Sequence, residues 1–185
     1  MMKKVERFTL LFFLTVIPFI KIDGQGVDIP KVRIAPFKGD KACAISYTFD
    51  DALRDQSILA APMLEKYGFR GTFWAIPSMV PETEEEILTN SKKKWGGITW
   101  KRLKEMSDNG HEISNHGWSH KNLVNLKSEQ EIRTEIEKAD SLILLKIGKK
   151  PRTFCYPYNA FNEQVLAIAM ENRVCLLYTS PSPRD

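Results

Sequence analysis

The sequence predicts an α/β domain built on a parallel sheet or barrel. Two observations carry this: strand-forming segments alternate with helix-period segments from residue 41 to residue 178, and no internal repeat is visible beyond that alternation. A third concerns placement. Asp50-Asp51, His116 with His120, and Pro157-Tyr158 each follow directly on the end of a strand segment, where α/β sheets gather their chemistry.

The elements follow in order. Residues 41–49, with Ala42, Cys43, Ala44 and Ile45, read as the first strand. Residues 56–67 read as a helix with apolar Leu59, Met63 and Tyr67, stopped by Gly68. Residues 70–76 are nearly all apolar after Thr72, the pattern of a strand buried on both faces, which places Trp74 in the core. Residues 77–97, with an acidic patch at 82–86 and Gly96-Gly97 at the end, read as an irregular insertion; a loop over a substrate groove and a plain surface excursion both remain open.

Thr99 is placed to cap a helix to Asp108 with Leu103 and Met106 inward and Asn109-Gly110 ending it. Residues 111–115 form the third strand, with a structural His111 at its start. Ser128 and Glu131 make a capping box, and Ile132, Ile136, Ala139, Ile143 and Ile147 form one apolar stripe running to Gly148 and Pro151. Residues 153–156 are a fourth strand, Asn162 caps a helix to Asn172, and residues 174–178 are a fifth strand.

A length of 185 residues suits one domain with a substantial core. Residues 1–24 read as a secretory signal peptide, with Lys3, Lys4 and Arg7 ahead of an apolar stretch over 8–20 and a small residue, Gly24, at the cut. That stretch falls short of the roughly 20 residues of a membrane-spanning helix, so export is expected, with an uncleaved signal anchor as the alternative. The net charge of +4 then drops to about +2, because Lys3, Lys4, Arg7 and Lys21 leave with Glu6 and Asp23. Lys92-Lys93-Lys94 is the only sizeable basic run, so no nucleic-acid partner is expected. Residues 25–40 read as a linker. Three cysteines, Cys43, Cys155 and Cys175, make no disulfide framework; Cys43 and Cys155 sit in strand-like apolar runs and are expected to behave as small hydrophobes.

The chemistry concentrates in two motifs. Adjacent carboxylates at a strand end, Asp50 and Asp51, face two imidazoles four positions apart, His116 and His120. Carboxylate with imidazole is the ligand set of zinc and its neighbours. The bland alternatives are Asp51 as a helix cap, Asp50 paired with Arg54, and both histidines on the surface. Trp118 either packs beneath the loop or lines a sugar surface.

Thr48-Phe49-Asp50-Asp51, His116-Gly117-Trp118-Ser119-His120 and Tyr156-Pro157-Tyr158, in this order, resemble the three motifs of the polysaccharide deacetylase family, the NodB homology or carbohydrate esterase family 4 domain. The resemblance covers roughly residues 41–178 and implies a distorted (β/α) barrel. It implies that Asp51, His116 and His120 hold a divalent metal, most often zinc, that Asp50 is the general base, and that the backbone N–H of Tyr158 helps to stabilise the oxyanion. The implied substrate is an acetylated polysaccharide, losing N- or O-acetyl groups. A carbohydrate-binding pseudoenzyme and a hydrolase of another non-peptide C–N bond are the alternatives.

Three departures from the family pattern stand out. Gly117 occupies a position that usually carries Ser or Thr, and Cys155 one that usually carries an arginine holding the base in place. The family continues into further strands with an aspartate-tryptophan motif and a histidine acting as general acid, whereas this sequence has no histidine after His120. Residues 179–185 read as a turn-rich tail outside the domain, and the last strands of the barrel are expected to be missing, as in an incomplete gene product with an exposed sheet edge.

Overall fold

The protein was analysed as a computed structural model, which describes residues 37, 39–89, 97–171, 173 and the backbone of 175–177. The expected signal peptide and tail lie outside these residues, as does nearly all of the linker. The chain divides into two units, Met1–Cys43 and Ala44–Asp185. The described part of the first is a short exposed stretch with one turn, in which the Asp40 N–H donates to the Phe37 carbonyl at 3.1 Å. Apart from the exposure of residues 41–43, everything below concerns the second.

Five strands form one all-parallel sheet in sequential order: β1 (Thr48–Phe49), β2 (Thr72–Ala75), β3 (Glu112–Asn115), β4 (Thr153–Cys155) and β5 (Cys175–Leu177). This is the strand order of a (β/α) barrel. Among the described residues β1 and β5 remain edges, so the sheet is an arc of that barrel rather than a closed ring.

The first strand is far shorter than residues 41–49. Only Thr48 and Phe49 pair, in register with Thr72 and Phe73, and residues 41–46 are exposed. An edge strand extends only as far as its single neighbour, and β2 begins at Thr72, just after the close approach of Gly71 to the Tyr47 carbonyl. Cys43 is consequently exposed rather than packed, while Cys155 on β4 is buried as expected.

The segment after β1 is also helical with the opposite face inward. It opens as a π-helical turn, Gln56–Ala60, and continues as α1, Ala61–Lys66. Leu59, Met63 and Tyr67 are 60%, 62% and 66% exposed, and the buried residues are Ser57, Ala61 and Leu64. Periodicity identifies stripes without saying which one faces the sheet; here the stripe of Ser57, Ala61 and Leu64 turns inward.

The described part of the expected insertion, residues 77–89 and 97, is more regular than a structureless loop. It contains a 3₁₀ turn, Pro77–Met79, and α2, Glu84–Thr89. Val80 is buried, and Glu82 pairs with Lys146 at 2.6 Å.

The later elements follow the sequence reading closely. In α3, Trp100–Asp108, the Thr99 side chain caps the Arg102 N–H, and Leu103 and Met106 are buried. In α4, Glu129–Ile147, both bonds of the Ser128/Glu131 capping box form and the five stripe residues are buried. Gly148 ends α4 at φ +77°, a conformation that suits glycine. Asn162 caps α5, Glu163–Met170.

Two apolar clusters fill the fold, and α4 serves both. Ile143 and Ile147 join Phe73, Ala75, Leu103 and Ile113, whereas Ile132 and Ile136 join Leu123, Phe154, Tyr156 and Val165. Trp74 is buried as expected, its indole N–H donating to the Thr153 hydroxyl at 3.0 Å. His111 is structural, as expected: its Nδ1 accepts from the Gly71 N–H at 3.0 Å, so Nε2–H donates to Glu65 at 3.1 Å.

Candidate functional site

Three strand ends, those of β1, β3 and β4, meet at one edge of the sheet. Beyond β1, Asp51 and Ala52 both adopt left-handed backbone conformations, with φ of 70° and 51°. Such conformations cost on the order of 1–3 kcal/mol each in non-glycine residues. The turn is closed by Gln56, whose side-chain N–H donates to the Asp50 carbonyl at 2.6 Å. Among the described residues no helix N–H donates to the Asp51 side chain, so it does not act as a helix cap. No Asp50–Arg54 ion pair is found among the described residues.

Beyond β3, the His116 N–H donates to the Ala75 carbonyl at 3.0 Å, continuing the ladder, and the side chain is buried. Its Nδ1 lies 2.9 Å from the Cys155 carbonyl. A carbonyl only accepts, so Nδ1 carries the proton and Nε2 presents a lone pair, the usual arrangement around a metal-ligating histidine. That Nε2 lies 3.5 Å from Asp51 Oδ1, and His120 Nε2 lies at the same distance from the same oxygen.

Asp51 Oδ1 is buried and has no hydrogen-bond donor. With a His116 lone pair facing it, the contact sets acceptor against acceptor and is unfavourable unless a cation lies between. The donor atoms of Asp51, His116 and His120 all lie within 4.8 Å of one another. Ligands of a tetrahedral ion at zinc distances stand about 3.3–3.6 Å apart. These residues therefore fit a small divalent cation. Burial and then the neighbouring His116 hold the His120 imidazole below its usual pKa, favouring the neutral, ligating form against the pull of Asp51 and Asp50.

Asp50 stands beside this set with its carboxylate 47% exposed and Oδ2 4.0 Å from His116 Nε2. On its other side the Cys155 S–H approaches Oδ2 at 3.6 Å. Burial pushes the Cys155 thiol far up, and the Asp50 charge adds to the effect, so it remains a protonated, weak donor. Tyr158, in a 3₁₀ turn after β4, has φ of 58° and an exposed ring whose centroid lies 4.6 Å from that of His120. The sequence-derived residues thus all converge on one edge.

Gly117 has a positive φ of 79°, and a Cβ there would lie 3.3 Å from Pro157. A serine or threonine at this position would be strained, and the loop takes its bracing elsewhere. Asn115 Oδ1 accepts from the Gly117 N–H at 2.7 Å, while Asn115 Nδ2 donates to Asp140 at 2.7 Å and to the Ile136 carbonyl at 2.8 Å. The buried Glu135 accepts from the Ser119 N–H at 2.9 Å and hydroxyl at 2.8 Å, and pairs with Lys121 at 3.2 Å. His120, at φ 59°, is thereby pinned on both flanks. Trp118 is half-buried beneath the Lys138 ammonium, 3.9 Å from the ring centroid. These bracing residues were not singled out in the sequence. The signal is there in α4, where Glu135 and Asp140 fall at three- and four-residue steps from the apolar stripe, positions at which a charge has to find a partner.

A cavity of about 470 Å³ opens elsewhere, lined by Arg54, Ser57, Glu82, Lys101 and Arg102 among others, and none of the converging residues borders it. No helix among the described residues is long and apolar enough to cross a membrane.

Among known proteins, chitin deacetylase 1 of Cryptococcus neoformans var. grubii is 28% identical over 124 residues, 67% of this chain and 23% of its own length. The chain spans less than half the length of the curated relatives it matches. A Streptococcus pyogenes deacetylase solved with acetate superposes with a TM-score of 0.59 at 24% identity, over 70% of this chain and 52% of that one. A Bacillus anthracis protein described as a carbohydrate esterase family 4 pseudoenzyme superposes with a TM-score of 0.55 at 22% identity, over 71% and 42%. At these identities the two structures establish the fold, an arc of the same distorted barrel. The family profile described as polysaccharide deacetylase matches residues 38–174, about three quarters of the sequence. On that match, the chain belongs to the polysaccharide deacetylase family.

Proposed function

We propose that this protein is an exported, metal-dependent hydrolase that removes N- or O-acetyl groups from an extracellular or cell-wall polysaccharide. The observation that carries the reading is the convergence of Asp51, His116 and His120 donors within 4.8 Å, with a separate carboxylate, Asp50, alongside. The basic-then-apolar segment of residues 1–24 supports export. A bound divalent cation, zinc by the donor chemistry, would acidify a water and polarise the acetyl carbonyl.

The chain's own residues then divide the work. Asp51, His116 and His120 hold the ion, with the Cys155 carbonyl orienting His116. Asp50, exposed and outside the ligand set, takes the proton of the attacking water. The Tyr158 N–H, turned by its left-handed backbone, donates to the developing oxyanion, and its exposed ring offers a face to the sugar.

Acetate release from acetylated glycans with added zinc tests the activity. Asp50→Asn is expected to abolish turnover while keeping the metal, and His120→Ala to lose the metal held with Asp51 and His116; equal loss from that set in both variants would remove the distinction between base and ligand. One observation favours a second reading, a binding protein without turnover. Asp50 is held on one side only by the weak S–H donor of Cys155, where the family pattern implies an arginine. Glycan and metal binding without acetate release would decide for it.

A further inference from the structure

The donors around His116 form two sets rather than one. Besides Asp51, His116 and His120, the group Asp50, His116 and Cys155 also brings one ligand atom from each residue within 4.8 Å of the others. Cys155 Sγ stands 3.6 Å from Asp50 Oδ2, and that oxygen stands 4.0 Å from His116 Nε2. A tetrahedral ion bound through one sulfur and one oxygen separates them by about 3.6 Å, so the sulfur–oxygen spacing is already that of a ligated pair. Both His116 and Cys155 are at least nine-tenths buried, which shields such an ion from water.

We propose that Asp50, His116 and Cys155 form a second, overlapping metal site that holds thiophilic divalent cations through sulfur. Because His116 has one free nitrogen, Nε2, one ion occupies one set at a time. Thiolate selects for zinc and softer cations, whereas carboxylate with imidazole also serves harder ones. Coordination forms one metal–sulfur bond and releases the thiol proton to water. An ion in this set also occupies Asp50. The site consequently turns a soft cation into an inhibitor, a consequence that rests on the reading of Asp50 as the base, while the sulfur ligation does not.

Cobalt(II) alone, titrated into the full chain and followed by absorption, tests the proposal. The wild-type protein is expected to show a near-ultraviolet sulfur-to-cobalt band together with visible d–d bands. Cys155→Ser and Cys155→Ala should each lose the near-ultraviolet band and keep the visible ones. His120→Ala, which leaves the sulfur set intact, should retain the near-ultraviolet band. Cadmium should displace cobalt from the wild type more readily than from Cys155→Ser. Visible bands without a sulfur band in the wild type would overturn this proposal and leave the proposed function standing. A sulfur band surviving in both Cys155 variants would assign it to another cysteine and overturn the proposal as well. Absence of every cobalt band would remove both readings.

Discussion

The two halves of the site are built to different standards. The histidine half leaves the central strand β3, has His116 buried, and is held from behind by the Asn115, Glu135 and Asp140 side chains. The acid half leaves β1, a two-residue edge strand, and is held by one Gln56 side-chain bond and a weak Cys155 contact. Strained backbone occurs in both, at Asp51 and Ala52 on one side and at His120 on the other. The difference lies in what opposes the strain, a buried charged network in one case and a partly exposed turn in the other. Bracing is concentrated behind the two imidazoles, and the two carboxylates are held more loosely.

Breaking the better-built half should cost most. Glu135→Ala strands both the Ser119 N–H and hydroxyl, at about 1–3 kcal/mol for each donor, so a loss of about 2–6 kcal/mol is expected in chemical denaturation. Metal affinity should fall about 10–100-fold, measured by chelator competition, because the carboxylate positions His120 through its neighbours.

Packing offers a contrast between the helices behind the two halves. Ile143→Ala in α4 empties a fully buried position and should cost about 2–5 kcal/mol. Met63→Ala in α1, at 62% exposure, should stay within about 0.5 kcal/mol. Comparable losses in the two would contradict the inward face described for α1.

Where the halves meet, Gly117→Ala meets a positive φ and the Pro157 ring, and a loss of about 1–3 kcal/mol is expected. The smallest effect concerns pH, away from the site. Desolvation raises the Glu65 carboxyl, but hydrogen bonds from Asn109 and His111 and the nearby Arg70 charge hold it below its usual value of 4.5. Its charged form therefore stabilises the fold above that pH, and the contribution disappears as pH falls through the lowered value. Glu65→Gln should lower stability at neutral pH and flatten the acid limb of the denaturation profile; an unchanged limb would show that the His111 pairing contributes nothing.

Much of this was legible in order along the chain. The Ser128 box, the Ile132 to Ile147 stripe, the Thr99 and Asn162 caps and the placement of both motifs after strands depend on residues within a turn or two of each other, and local periodicity and hydrogen-bonding chemistry encode them. The length of β1, the inward face of α1, the exposure of Cys43 and the bracing by Glu135 and Asp140 were not legible, because each depends on a partner far away in sequence. Alone, the sequence determined that the acid pair and the histidine pair stand at strand ends. Only the tertiary structure decided which oxygens and nitrogens face one another, that Cys155 lies against Asp50, and which half is rigid, because distances between remote segments are set by packing across the sheet rather than by neighbours along the chain.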